Sequence, residues 1–511
     1  MSGSAYNSTD QSLHSQADHA RRIARREFLR AAGIGAAACA SHVASSFNCP
    51  FLGLAHAADD AASRAVSAAI VLARKKSGVT LRILQPFLTN SSIKPAADEW
   101  RRETGIPVTH IESPLDGINF RIVQDAATKS GEFDVALAVT QGIADLAGSG
   151  AIVDLTELAK QHNPDRDAPG CRVLYTAGDF YQGRLYGLCA DGDAYLMFYR
   201  KDLLESEAEQ RRFADKHGFA LGVPRTWSEL DTMLRFFHRP HEGLYGGSLY
   251  RNLYATHEWI VRFTSKGRYL FDDNMSPQIN GDGGVKALEE LIAVSPYLHP
   301  AANAGSWPDI TAAVASGRCF AHIGWGADQR IFWNPQKSKV RGKLAWGPTP
   351  GGLLKGKLVR TPSFNWGWSW VVPRESQAPE LAYLFCQYLY SARISTIAVR
   401  DPDGILEPFR ECHYSDPVVR EVFGDGYLSV HRYSLSLSMP DFHIRGNFKY
   451  TDILGKNIEA ANRRLTKPKQ ALDAVARAWN QITDQLGRDS QIAQWRFLKS
   501  QYPAHLRAVL S

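Results

Sequence analysis

The chain has no apolar run fit to span a bilayer. Its one weakly apolar stretch, residues 31–55, is interrupted by Ser, His, Asn and Pro, so it does not read as a transmembrane helix. Cysteine is scarce: seven residues in 511, none forming a CxxC pair, which argues against a dithiol redox centre. The scattered His and Cys show no zinc spacing. His257-Glu258 lacks the second His that HExxH requires. No basic run occurs beyond the N-terminal region, and a net charge of +7 over so long a chain does not indicate nucleic-acid binding. There is no internal repeat, no low-complexity tract and no cofactor or metal motif, so none of these is expected.

What remains is a soluble, globular composition, 44% hydrophobic and 22% charged. At 511 residues the chain exceeds what one hydrophobic core holds, so two or more lobes are expected. Residues 1–57 read as an address rather than as fold. Arg25-Arg26-Glu27-Phe28-Leu29-Arg30 resembles a twin-arginine export signal, an Ala/Gly-rich run follows, and Ala55-His56-Ala57 is a small-x-small cleavage pattern. The bland alternative is a basic amphipathic helix. Ala36-Ala37-Ala38-Cys39 is a weak lipobox-like match without the usual Leu. Cleavage after Ala57 removes five Arg and three acids and leaves a net charge of +5. It also leaves five cysteines (Cys171, Cys189, Cys319, Cys386 and Cys412), an odd number that predicts at least one free, buried thiol.

Residues 58–78 read as a loose leader. Val79–Leu84, Pro107–Ile111 and Phe133–Val139 read as strands, alternating with helices over Ile93–Thr104 and Phe120–Ser130. That alternation predicts a doubly wound parallel sheet with ligand contacts in the loops after the strands. Asp191-Gly192-Asp193 is a polar stop between a turn and the apolar run Ala194–Tyr199, as where a chain crosses between lobes. Thr226 with Glu229 forms a capping box. Leu344–Pro350 reads as a second crossing, with a third near 395–404. Glu380–Tyr390, Asp452–Leu465 and Pro468–Gln485 read as helices.

Several segments together resemble the extracellular solute-binding proteins of ABC importers, in the carbohydrate-binding group that includes maltose-binding protein. They are Leu185-Tyr-Gly-Leu188 with Tyr199-Arg-Lys-Asp-Leu-Leu204, Pro224-Arg-Thr-Trp-Ser-Glu-Leu230, Pro277-Gln-Ile-Asn280 with Val285-Lys-Ala-Leu288, Ser316–Trp325, Gly404–Arg410 with Asp416-Pro417, Met439-Pro440 and Ala471-Leu472-Asp473. Each motif alone is weak; their order over residues 79–485 is specific. Departures occur at Cys189, where the family often has Pro, at Arg200, and at Phe320-Ala321-His322. The resemblance implies an α/β, two-lobed periplasmic-binding-protein fold with a hinge and an interlobe cleft. Residues 79–190 plus 350–398 would form lobe 1, and 191–349 plus 399–511 lobe 2. It implies a monomeric periplasmic receptor that binds a neutral sugar, oligosaccharide or polyol and delivers it to a membrane permease, after export by the twin-arginine translocase. A charged ligand on the same architecture (a polyamine or metal chelate) and an exported polysaccharide-acting enzyme are the competing readings.

A sugar cleft needs carboxylates and amides for hydroxyls and aromatic faces for C–H surfaces. Asp193 resembles the acidic sugar contact of the family's crossing segment, and Asp191 lies two residues away. Loop-end logic adds Gln85 and Phe87 after the first strand, and Thr140 and Gln141 after the third. Trp325, Trp366 and Trp368 are the aromatic candidates, with Asn365 and Asp328 secondary. If 366–370 is a strand, its three Trp share one face, and Trp370 belongs to the core. Trp227 reads as the anchor of its own helix. The Asp191/Asp193 pair is too local to read as a glycosidase pair, so no catalytic residue is expected.

Overall fold

The computed structural model describes residues 60–75, 78–252, 254–364 and 366–511. The export motif at Arg25 and Arg26, the cleavage pattern, Cys39 and the candidate Asn365 lie outside the described residues. Among the described residues no helix is long and apolar enough to cross a membrane.

The expected loose leader is instead a helix, α1 (Ala61–Lys75). Ala61, Ala65 and Ala69 recur every fourth residue and are buried, a smooth stripe that lets another helix approach closely. The sequence concealed this because alanine carries no strong hydrophobic signal and the segment ends in cations. From there the chain builds the first sheet: β1 (Leu81–Pro86), α2 (Asn90–Thr104), β2 (Val108–Ser113), α3 (Ile118–Thr128), β3 (Val135–Val139), α4 (Ile143–Gly148) and β4 (Leu188–Cys189). Helix α2 stops where Gly105 takes the left-handed conformation, φ 75°.

The second sheet begins with β5 (Ala194–Arg200). There follow α5 (Trp227–Phe236), β6 (Tyr245–Ser248), α6 (Ala255–Thr264), α7 (Asp282–Val294), α8 (Trp307–Ala315), β7 (Cys319–Gly324), α9 (Gly326–Trp333) and β8 (Leu344–Pro348). Helix α5 starts at the predicted Thr226/Glu229 capping box. Strand β9 (Ser363–Phe364) still pairs with β5, whereas β10 (Trp368–Val371) pairs with β3 and β4. The remaining helices are α10 (Pro379–Tyr390), α11 (Ala392–Val399), α12 (Pro417–Phe423), α13 (Asp425–Ser436), α14 (Asn447–Asn462), α15 (Pro468–Gln485) and α16 (Arg488–Gln501).

The first sheet runs β2-β1-β3-β10-β4, and the second β8-β5-β7-β6 with β9 beside β5. In the first sheet β1, β2 and β3 are parallel, and β10, returning from the other lobe, is antiparallel to β3. In the second sheet β6 and β7 are parallel and β5 is antiparallel to both β7 and β8, so each sheet is mixed and the parallel expectation holds within its βαβ part. The chain passes from the second sheet to the first between β9 and β10, not at 346–350. Leu344–Pro348 is an ordinary antiparallel partner of β5, and the Gly-Pro inside it imitates a joint.

Each sheet carries its own core. Trp100, Trp368, Trp370 and Tyr383 lie in the first; Trp227, Trp259, Trp479 and Trp495 lie in the second. Strand β5 divides two apolar layers by its period of two. Tyr195, Met197 and Tyr199 enter the large core of the second lobe, while Ala194, Leu196 and Phe198 enter a smaller one with Phe332, Phe364 and Tyr427. A buried ion network braces α6: Arg251 and Arg262 both donate to Glu258, at 2.7 and 2.9 Å, and Arg262 also binds Asp231 at 2.7 Å while lying over the Trp227 ring. Glu258, next to His257, is thus a structural anion. Its two cations hold its carboxyl below the usual range in spite of burial.

Cys171 and Cys412 form a disulfide, and Cys189, Cys319 and Cys386 are buried thiols. The bridge ties the segment around Val173 to residues 410–412, where Val173 also pairs with Arg410.

Candidate functional site

Two distant segments meet at the first crossing. Asp191 Oδ1 accepts from its neighbour Gly192 N at 2.8 Å and from Glu407 N, just beyond the third crossing expected near 395–404, at 2.6 Å. The Glu407 side chain then reaches the start of α9, where Oε1 accepts from Ala327 N at 2.6 Å and Oε2 lies 3.3 Å from His431 Nε2. A helix N-terminus offers unpaired N–H groups and favours negative charge there. The carboxyl of Asp193 lies against both other acids. One oxygen from each of Asp191, Asp193 and Glu407 falls within 4.8 Å of the others, and all three residues are buried. Burial, then repulsion by its acidic neighbours, holds Asp193 well above the ordinary carboxyl range; burial and Glu407 do the same to Asp191.

An aromatic wall stands beside the acids. Trp325 immediately precedes α9 and packs at centroid distances of 5.3 Å on Tyr195, 5.5 Å on Tyr250 and 5.7 Å on His257. Tyr254 extends the wall to Trp366, 5.4 Å away. Trp366 is half-buried and touches the cores of both lobes. Its φ of 71° is unusual for a bulky residue, and it precedes β10 instead of belonging to it. The three tryptophans therefore do not share a face: Trp368 and Trp370 enter the first core, and Trp366 turns to the junction. Gly367 makes this turn possible, since a Cβ there would collide with the Phe364 ring.

Across the junction, the first lobe contributes the loop after β3. Thr140 and Gln141 are buried, and Thr140 Oγ1 has no hydrogen-bond partner. They face residues 441–446 of the second lobe: Gln141 approaches Asp441, Tyr175 Oη lies 3.2 Å from His443 Nε2, and Gly446 N donates to Asp145 at 2.6 Å. Burial raises Asp441 to about 6 and depresses His443 to about 4. Burial also depresses His257 to about 4. Deeper, burial raises Asp179 to about 6, against the pull of Arg166, while it accepts from Ser369 Oγ at 2.7 Å and from Cys189 N at 3.2 Å. This accounts for Cys189 where relatives often have Pro: proline has no N–H to give Asp179, and the thiol caps Asp191 O at 3.1 Å.

Of the residues singled out in the sequence, Asp191 and Asp193 come together with Glu407, Trp325 and Trp366 share one ring cluster through Tyr254 and His257, and Thr140 and Gln141 lie on the loop after β3. Gln85 is buried at the end of β1, where its amide donates to Asn90 and its Oε1 has no partner. Phe87 is half exposed. Trp368 is taken up by the first core, and Asp328 by His322 at 2.9 Å, Trp307 at 2.6 Å and Trp325 N at 3.1 Å. Both serve the scaffold, because no face of either is left for a ligand. Sequence reading missed Glu407, Tyr195, Tyr250, Tyr254, His257, Asp441 and His443. Glu407 lies just beyond the third crossing expected near 395–404, and nothing local singled it out.

Residues 88–394 match the family described as bacterial extracellular solute-binding protein. A probable amino-acid ABC transporter periplasmic-binding protein, y4oP of Sinorhizobium fredii, is 25% identical over 374 residues, covering 67% of this chain and 79% of that protein. Among solved structures, an ABC transporter solute-binding protein of Agrobacterium radiobacter K84 in complex with ribitol superposes with a TM-score of 0.69 at 20% identity, over 79% of this chain and 99% of that one. Maltose-bound MalE3 of T. maritima gives 0.66 at 18% identity over 79% and 100%. A solute-binding protein of Agrobacterium vitis S4 with bound D-mannitol gives 0.65 at 19% identity over 80% and 99%. These structures share the two-lobed periplasmic-binding-protein fold. The chain belongs to the bacterial extracellular solute-binding proteins, as the non-enzymatic receptor component of an ABC transporter.

Proposed function

We propose that this receptor binds a sugar or polyol between its lobes and hands it to the membrane permease. The observation that carries the reading is Trp366. It rests on both cores at a crossing, in a strained backbone conformation, at the end of a wall of rings that leads to buried carboxylates. Rings stack on C–H faces and carboxylates take hydroxyl protons, which together fit a polyhydroxylated solute. The solved relatives' ribitol, mannitol and maltose are ligands of this chemistry. A free amino acid, the class in the y4oP name, is the second reading.

Asp193, Asp191, Trp325, Trp366, Thr140, Gln141 and Gln85 are proposed as ligand contacts, with hinge bending between the lobes closing over the solute. Export through the twin-arginine route, cleavage after Ala57 and a monomeric state complete the proposal. A thermal-shift screen of the mature protein against sugars, polyols, amino acids and polyamines tests it. At 100 times its Kd, a ligand stabilises by about 2.7 kcal/mol. A rise in melting temperature with a sugar or polyol is the expected result; a rise with amino acids alone overturns it.

A further inference from the structure

We infer that the solute carries a protonated amine, and that Asp191, Asp193 and Glu407 form the subsite that receives it. This rests on the reading that a polyhydroxylated solute enters between the lobes, and it narrows that solute to an amino sugar or amino polyol.

The triad holds an acceptor that the protein itself does not use. Asp191 Oδ1 is taken by two backbone N–H groups, and its Oδ2 has no partner. Glu407 Oε1 is taken by Ala327 N, and its Oε2 lies 3.3 Å from His431 Nε2. Asp193 stands against both. An independent group points to the same place. Tyr427 Oη, on α13, is fully buried without a partner, and a Cβ built on Gly326 would collide with both Tyr427 Oη and Glu407 Oε2. A fully buried hydroxyl without a partner costs about 1–3 kcal/mol, so its presence beside three acids marks a position meant to be filled.

Among the three acids His431 bonds Glu407 alone, and Arg330 bonds none of them. Arg330 Nη2 donates to the Val399 and Leu406 carbonyls, and its Nε and Nη1 have no partner, so it makes no hydrogen bond to any of the three carboxylates. A sugar hydroxyl donates one hydrogen and would serve one acid. An ammonium donates three in a pyramid, and oxygens that surround it at about 2.8 Å lie roughly 4.5 Å apart, in keeping with the 4.8 Å limit on this triad. Calcium asks for 6–8 oxygens and magnesium keeps several waters; three carboxylates, two of them already half-committed to backbone N–H groups, suit neither. Asp193 immediately precedes β5, whose second residue, Tyr195, packs on Trp325 in the ring wall. An amine held by Asp193 would sit toward that wall, and such an arrangement adds a cation–π contribution.

The test uses matched pairs on the full mature protein by titration calorimetry: glucamine against glucitol, and glucosamine against glucose and N-acetylglucosamine, with calcium chloride and putrescine alongside. The amine member of a pair should bind about tenfold tighter or more than its hydroxyl or N-acetyl counterpart. Asp193→Asn and Glu407→Gln, each checked for an unchanged near-UV spectrum, should bring that ratio within about twofold. Two variants on different segments guard against one failing to fold. Equal affinities within pairs overturn the inference and leave the sugar-or-polyol reading standing, as does a calcium-induced rise in melting temperature that the triad variants abolish. If no hydroxylated compound binds while putrescine does, the polyol reading fails, and the amino-polyol assignment with it.

Discussion

Gly192 and Pro408 touch backbone to backbone. A Cβ on Gly192 would overlap the Pro408 carbonyl oxygen and lie 3.3 Å from His431 Cε1. The first crossing and the Glu407-Pro408 segment are thus pressed together at the residue between the two aspartates. Gly192→Ala should cost about 1–3 kcal/mol by overpacking and loosen the acid triad as well. Chemical denaturation checks the first effect; a wild-type midpoint in the variant would contradict the contact.

The ion network behind the ring wall gives a second expectation. Glu258 is fully buried between Arg251 and Arg262. Glu258→Ala leaves two buried guanidinium groups short of their anion and should destabilise by about 3–5 kcal/mol. A loss below about 1 kcal/mol in urea unfolding would show the network to be dispensable.

The disulfide closes a sequence separation of 241 residues. Its reduction should lower stability by about 2–5 kcal/mol, and a Cys171→Ser/Cys412→Ser double variant should no longer respond to reductant. The buried thiols Cys189, Cys319 and Cys386 should react with a thiol reagent only after unfolding.

Acidity separates two groups at the lobe junction. Asp441 is raised from 3.8 to about 6 in the folded protein, so its contribution is fully present below the unfolded pKa and is lost as pH rises between about 4 and 6. That loss is about 3 kcal/mol in order of magnitude. His443, lowered from 6.5 to about 4, acts oppositely: its contribution is present above its unfolded pKa and is lost as pH falls toward 4. Relative to wild type, Asp441→Asn should gain melting temperature between pH 4.5 and 7.5, and His443→Gln should gain it between pH 7.5 and 4.5. Parallel curves for wild type and both variants would contradict the assignment.

The legible part of this protein was what lies close in sequence. The first three strands, the Thr226/Glu229 cap, the first crossing at Asp191-Gly192-Asp193 and the later helices all announce themselves within a dozen residues. The site was legible only where one of its residues stood on such a segment. Glu407 meets Asp191 across 216 residues, and no local pattern reports that pairing. Tyr195 read as one more apolar strand residue because a ring on β5 serves core and cleft equally well. Trp366 was placed on a strand face because nothing in Trp366-Gly367-Trp368 reveals a positive φ; only the Phe364 ring, packed against Gly367, imposes it.

The central claim is that a sugar or polyol binds between the lobes against Trp366 and Asp193. Titration calorimetry of the mature protein with the best ligand from the thermal screen, repeated on Trp366→Ala and Asp193→Ala, tests it most directly. The account predicts one saturable site, weakened in each variant by about 1–2 kcal/mol, roughly five- to thirtyfold in Kd. Unchanged affinity in both variants, or no sugar or polyol that binds at all, would contradict it.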